Sequence, residues 1–404
     1  MSTPASPALR GFPSERAHAT SRAARVSNDD WSRMMATEVL LSGPVTRTEL
    51  ADRLGLSNAT ITRLAAPLLE RGIIVEEPAE TAARIGRPSH PLNVSPEDHH
   101  FIGVRLTASD VQAVLTDFRA ETIGHHRVRL PQGADGSQHS PAEIVTAITT
   151  AVAALTTPER PIRGVGLCLG GQIDEDGTVS WAPYLGWRDV PIGGLVEAAL
   201  GIPVTVENDL AALTNAEHWF GRGRGLDQFA VVTLGVGIGL GLVINNRFIT
   251  GRDAGLGLAG HLPLDPSGPR CPRGHRGCAK ALLSTGGIET ALEERRGEAT
   301  DFATGFDLAR GGEPTSREVF SASVEALGRF LSIIANVALP ERIIVTGEGI
   351  DLAKFDEPAL HAEISALRAD LAAPVDLTLH RTKPYMWARG AAVTAIQGYL
   401  GARA

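Results

Sequence analysis

Asn58, Ala59, Thr60, Thr62 and Arg63 are clustered near the start of an apolar-periodic run, and their types suit the reading of DNA bases. Asn can pair bidentately with adenine and Arg with guanine, while Thr and Ala can touch a thymine methyl. A helix that enters a major groove carries such groups near its N-terminal end. The segment Val45 to Leu69 predicts the frame that would hold them there: two short helices around a tight turn. Thr46 and Glu49 have capping-box spacing, Leu50 and Leu54 share a face, and Gly55 suits the positive φ of a helix end. Ser57 is a good N-cap for the second helix, in which Ile61, Leu64, Leu68 and Leu69 recur at helical spacing as the buried stripe. Thr46 and Ser57, at the two helix starts, join the candidate DNA contacts. Pro67 removes a backbone donor and is expected to kink the last turn, away from the reading end. A preceding helix, about Asp29 to Leu41, offers Trp31, Met35 and Val39 to complete a three-helix core.

After Gly72 the period changes. IIVEE and RIGRPSHPLNV predict two strands with a polar tip between them, a wing that places Arg84 and Arg87 against a minor groove or phosphates. The first 27 residues are rich in Ser, Ala, Pro and Arg and read as a disordered arm. The chain thus divides into an arm (1–27), a winged helix-turn-helix unit (28–95) and a long body (96–404).

Composition agrees with a small head on an acidic body. Of the 404 residues 43% are hydrophobic, enough for large cores, and the net charge is −8. Up to Ser95 there are eleven Arg against ten acids, so the remainder carries the negative charge, which disfavours non-specific contact between the body and DNA. The 3 cysteines (Cys168, Cys271, Cys278) are an odd number without a signal sequence, the pattern of a reducing cytoplasm. No apolar run approaches membrane-spanning length, so no membrane partner is expected.

From about Pro96 the sequence alternates strands and helices. FIGVRL and VQAVLTDF predict a hairpin, and a helix follows from about Pro141 to Leu155. RGVGLCLGG predicts a buried strand in which Cys168 is a small core residue, followed by a helix at about Ile192 to Leu200. PVTVEND is a strand ending in an acidic turn. FAVVTLGVGIGLGLVINNRFITG is a strand, a Gly-rich turn and a returning strand, RIIVTGEGI another strand entering a Gly turn, and RGAAVTAIQGYL a closing helix.

The segments IPVTVENDLAAL, TLGVGIGLGLVINNRFITG, LAGHLPL followed by CPRGHRGC, IIVTGEGI and RGAAVTAI together resemble the ROK family of repressors and sugar kinases, from about Phe101 to the C-terminus. The resemblance implies an α/β chain: an N-terminal winged helix-turn-helix plus a two-lobed actin-like/hexokinase-like ATPase fold that holds sugar between its lobes and forms homodimers or homotetramers. Asp209 matches the family's catalytic base and Asn208 a sugar-contacting residue. His261, Cys271 and Cys278 match three of the four zinc ligands. Arg273 replaces the fourth; nearby His275 is a candidate substitute, and the alternative is a metal-free loop held by packing. The two sugar-gripping glutamates of the family signature are Leu258 and Lys280 here, which opens the possibility of an anionic effector. With Asn208, Asp209, His261 and Lys280 as candidate effector contacts, the expected partners are double-stranded operator DNA and a sugar or sugar-derived molecule. The first phosphate loop is degenerate from Arg105 to Ser109. Arg105 stands where an Asp would anchor Mg²⁺, and no Gly occurs between Gly103 and Gly124. The second loop keeps Gly235, Gly237, Gly239 and Gly241. A DNA-binding regulator of carbohydrate genes that has lost ATP use is therefore expected, with Asp209 a vestigial base; the alternative is an active sugar kinase with an appended DNA-binding head.

Overall fold

The structure is a computed structural model that describes residues 27–78, 90–131, 139–383 and 385–401. The N-terminal arm and the wing tip carrying Arg84 and Arg87 lie outside the described residues.

Three helices open the chain: α1 (Asn28–Ser42), α2 (Arg47–Leu54) and α3 (Asn58–Glu70). Local chemistry sets their ends. Ser27 with Asp30 and Thr46 with Glu49 form complete capping boxes, and Gly55 closes α2 in the left-handed region at φ 65. β1 (Val75–Glu76) and β2 (Leu92–Asn93) follow as an antiparallel ribbon. In α3 the buried stripe is Ile61, Leu64, Ala65 and Leu68. Leu69, expected in it, is half-buried at the stripe's edge, and Ala65 takes its place. The helix also continues through Pro67 to Glu70. Pro67 lies so near the C-terminus that its missing donor interrupts one bond of an already ending ladder.

The first lobe holds β3 (His100–Leu106), β4 (Asp110–Thr116), β5 (Thr122–Arg129), α4 (Pro141–Ala153) and β6 (Ile162–Leu169). A small sheet of β7 (Gln172–Ile173), β8 (Val179–Ala182) and β9 (Trp187–Val190) comes next. α5 (Ile192–Leu200), β10 (Val204–Asn208) and α6 (Asp209–Phe220) complete the lobe. Its main sheet runs β10-β6-β3-β4-β5, with β10, β6 and β3 parallel.

The second lobe repeats the plan. β11 (Phe229–Leu234), β12 (Ile238–Ile244) and β13 (Arg247–Phe248) precede α7 (Ala279–Leu283), α8 (Thr285–Arg296), α9 (Phe302–Arg310) and α10 (Pro314–Ala338). β14 (Arg342–Thr346), α11 (Glu357–Ala366) and β15 (Leu377–Leu379) finish a sheet ordered β13-β12-β11-β14-β15. The last helix, α12 (Met386–Leu400), crosses back and packs on β3, β6 and α6 of the first lobe. It approaches closely because β3 and β6 offer glycines beneath it: a Cβ on Gly103 would stand 1.9 Å from the Ala388 carbonyl oxygen, and one on Gly166 1.7 Å from that of Ala391.

The head is fused to the body through one apolar cluster. Met35, Val39, Leu64 and Leu92 share it with Phe101, Phe118, Trp219, Ile396 and Leu400. Arg119 donates to the Gly43 carbonyl (3.3 Å) and the Asn93 side chain (2.7 Å), and Arg224 donates to the Leu41 carbonyl. Among the described residues no helix is long and apolar enough to cross a membrane.

Candidate functional site

Three sets of side chains are brought together by this fold. The first is the outer face of α3. Asn58, Ala59, Thr62 and Arg63 are exposed and Thr60 is half-buried. Several of their polar atoms already have local partners. Ser57 Oγ accepts the Thr60 amide at 3.2 Å, the Thr62 hydroxyl donates to the Asn58 carbonyl at 2.9 Å, and Thr46 accepts the Glu49 amide at 3.2 Å. Thr46 and Ser57 are therefore caps first; their hydroxyls set the helix starts from which the other side chains project. Arg63 has one long contact, 3.5 Å, with Asn28.

The second set lies where the two lobes meet. Asn208 caps α6: its Oδ1 accepts the amides of Leu210 (3.0 Å) and Ala211 (3.3 Å), and its Nδ2 donates to the Gly171 carbonyl (2.9 Å). One amide hydrogen is left for a ligand. Asp209 is half-buried at the first turn of α6, where its Oδ1 accepts the Leu210 amide at 2.8 Å. Burial pushes its pKa up, and the Arg105 guanidinium and the Leu210 amide pull it back.

Arg105 projects from β3 toward the second lobe. Its guanidinium lies 4.8 Å above the Trp387 ring and its Nη2 is 3.4 Å from Glu348 Oε1, in the turn after β14. Glu348 in turn stands over Gly235, where a Cβ would meet its Oε2 at 2.8 Å. The turn after β3 is closed on itself: Thr107 accepts the amides of Ser109 (3.3 Å) and Asp110 (3.1 Å). Of the second-loop glycines, Gly239 and Gly241 serve packing, since a Cβ there would meet Thr233 Oγ1 at 2.4 Å and Thr214 Oγ1 at 2.1 Å. Glu348 and Trp387 were not read from the sequence. The acid between Gly347 and Gly349 in TGEGI was the available signal.

The third set is a metal-ligand cluster. The donor atoms of His261, Cys271, His275 and Cys278 all lie within 4.8 Å of one another. His261 Nδ1 is 3.0 Å from His275 Nδ1 and 3.9 Å from each sulfur. Bonds of ~2.0 Å to nitrogen and ~2.3 Å to sulfur give tetrahedral edges of roughly 3.3–3.8 Å, so two imidazoles and two thiolates fit a zinc ion here. Burial pushes the Cys271 thiol up, but the backbone amides of Arg273 and His275 and the Cys278 thiol outweigh it and leave it below its ordinary value. Burial and the neighbouring Cys271 push Cys278 up. His261 is held below its usual range by burial and then by His275, Arg273 and Lys280. Arg273 extends instead over the Trp181 ring, 5.9 Å from its centroid. Leu258 is exposed and Lys280 half-buried beside this loop. Cys168 is buried in the core, as expected, with its thiol against the Trp387 carbonyl (3.5 Å).

Two five-stranded sheets with a helix crossing between them, and an Asn–Asp pair at the start of α6, define a sugar-kinase-like α/β fold that carries a three-helix head. Residues 101–397 match the ROK family, and the chain belongs to it. It is 26% identical over 343 residues to the DNA-binding transcriptional dual regulator NagC of Escherichia coli, covering 81% of this chain and 83% of that one. It is 23% identical over 338 residues to the xylose repressor of Bacillus subtilis, covering 83% and 86%. Among solved structures, a ROK-family transcriptional regulator, a homologue of the E. coli Mlc protein, superposes with a TM-score of 0.78 at 23% identity over 93% of this chain and 97% of that one. A glucokinase from Streptomyces griseus with glucose and AMPPNP superposes at 0.61 with 26% identity, covering 74% of this chain and all of the enzyme.

Proposed function

We propose that this protein is a transcriptional repressor of carbohydrate-related genes that responds to a sugar or sugar-derived effector and works in the cytoplasm. The observation that carries this is the composition of α3: its apolar face is buried in a core continuous with the body, while Asn58, Ala59, Thr62 and Arg63 face outward. In this reading α3 enters a major groove, Arg84 and Arg87 of the wing touch the minor groove or phosphates, and each subunit of a homodimer or homotetramer reads one half-site of a pseudo-palindromic operator. The names of the relatives supply the effector class, and Asn208, Asp209, His261 and Lys280 are its proposed contacts. Zinc held by His261, Cys271, His275 and Cys278 would fix the loop beside that pocket. Loss of phosphoryl transfer belongs to the same reading: Arg105 stands at the position of the family's Mg²⁺-anchoring Asp, and it is held by Glu348.

The test begins by letting the full chain select duplexes from a random-sequence pool. Replacing Asn58 or Arg63 by Ala is expected to cost about 1–3 kcal/mol on the selected sequence and to relax preference at one position. Replacing Arg84 should weaken selected and random DNA alike. Equal losses on both DNAs for all three variants overturn this division of labour. In parallel, ADP release from ATP should not rise with glucose, N-acetylglucosamine or xylose. Saturable sugar-dependent release that disappears in Asp209→Asn establishes the kinase instead.

A further inference from the structure

Arg105 makes one of several contacts between the lobes, beside the Gln172–Arg252 and His218–Asn246 hydrogen bonds, and among the described residues it is the one that carries an ion pair. It belongs to the first lobe, and its ion-pair partner Glu348 to the second. The aromatic ring beneath it, Trp387, is the second residue of α12. Its charge also acts on Asp209, the first residue of α6.

Both helices then run to the same place. α6 has 12 residues, about 18 Å, and ends in Trp219 and Phe220. α12 has 15 residues, about 22 Å, and ends in Tyr399 and Leu400. All four side chains pack in the cluster that holds Met35 and Val39 of α1. The helices are locked side by side, since a Cβ on Gly390 would come within 2.9 Å of the Ala212 backbone. Two rods thus begin at the cleft, beside Arg105, and end against the DNA-reading head.

We propose that the Arg105–Glu348 ion pair is an interlobe clasp whose state is carried to the head by α6 and α12, so that cleft occupancy and operator affinity are coupled through Arg105. This rests on the reading of the chain as an effector-responsive DNA-binding regulator. Coupling requires an element whose arrangement both sites bias. Arg105 faces a carboxylate in each lobe. A ligand hydroxyl that donates to Asp209 takes over part of what Arg105 supplies to that acid and leaves the guanidinium to Glu348, which draws the lobes together. The existing contact is a single one at 3.4 Å, and Glu348 is 57% exposed. Such a pair is weak and salt-sensitive, which lets a small ligand change its strength.

The experiment uses the full chain, the duplex it selects from a random pool, and spin labels at the exposed positions Leu195 and Leu367, one in each lobe. Glu348→Gln is expected to broaden the interlobe distance distribution and to weaken binding of the selected duplex roughly two- to fivefold. The deficit relative to wild type should shrink as salt is raised. Glu348→Arg, which sets two guanidinium groups face to face, should weaken it further. Arg105→Gln added to Glu348→Gln should broaden the interlobe distances no further, since the ion pair is already broken. Unaltered DNA affinity in Glu348→Gln overturns the proposal, and so does an altered affinity with an unaltered distance distribution. A wild-type chain that selects no DNA defeats the functional reading instead, and the interlobe distances still decide the clasp.

Discussion

The Nδ1 atoms of His261 and His275 stand 3.0 Å apart, on a loop that brings Cys271 and Cys278 to the same point. In the family signature the fourth ligand comes from the position of Arg273; here the arginine reaches toward Trp181 and the histidine two residues later fills the gap. Two adjacent imidazoles without a shared ion or proton repel once charged, and two thiols gain little from each other. A zinc ion satisfies all four. The purified protein is expected to hold about one zinc per chain, measured by elemental analysis. His275→Ala should lower the affinity by orders of magnitude, while Arg273→Ala should leave the content unchanged. Full zinc retention in His275→Ala would remove the assignment of this ligand.

The close approach of α12 to the first-lobe sheet gives a second expectation. A methyl at Gly166 would meet backbone, the Ala391 carbonyl, at 1.7 Å, and backbone cannot yield as a side-chain tip does. Gly166→Ala should destabilise the protein by about 3 kcal/mol or more in denaturant unfolding. Gly194, in the first turn of α5, provides the control. A Cβ there meets nothing within 4 Å, so Gly194→Ala should be neutral or stabilising by up to about 1 kcal/mol. Similar small effects at both sites would show that α12 can shift outward, and the rigid-rod role of that helix would fail with it.

These two examples also show what the sequence could and could not reveal. The head was legible because its signals act over three or four residues: Thr46 caps through Glu49, Gly55 ends α2, and Ile61, Leu64 and Leu68 share one face. The strands of the body were legible as apolar runs broken by glycines. The lobe to which α12 returns was not, because the glycines that admit it lie more than 200 residues earlier and carry no side chain to mark a partner. Arg105 was recognised as an obstacle to phosphate, whereas its partner Glu348 is 243 residues away and sits between the two glycines of a turn read only as a turn. The small sheet of β7, β8 and β9 escaped notice because strands of 2 to 4 residues leave no periodic pattern to detect.

The seam between head and body carries a titratable group in an apolar setting. His99 is 3% exposed, stacks on Phe118 with ring centroids 4.9 Å apart, and lies 5.6 Å from the Tyr399 ring. Neither ring nitrogen has a well-formed hydrogen bond. Burial, and then Arg163, hold its pKa below the ordinary 6.5; Asp98 and the Ser95 backbone oppose them without prevailing. A histidine whose folded pKa lies below its unfolded value binds its proton more readily once the seam opens. Its contribution to stability is therefore complete above about pH 6.5 and is lost as the pH falls below that value toward the folded pKa. His100, shifted the same way by burial, adds to the effect. Unfolding free energies measured from pH 7.5 down to 5 should fall more steeply in the wild type than in His99→Phe, which keeps a ring of similar size against Phe118. The difference in slope should correspond to at most one proton. Parallel curves for the two proteins would mean that His99 binds its proton as readily in the native state as in the unfolded one, and the seam around it would not then be apolar enough to disfavour the charge.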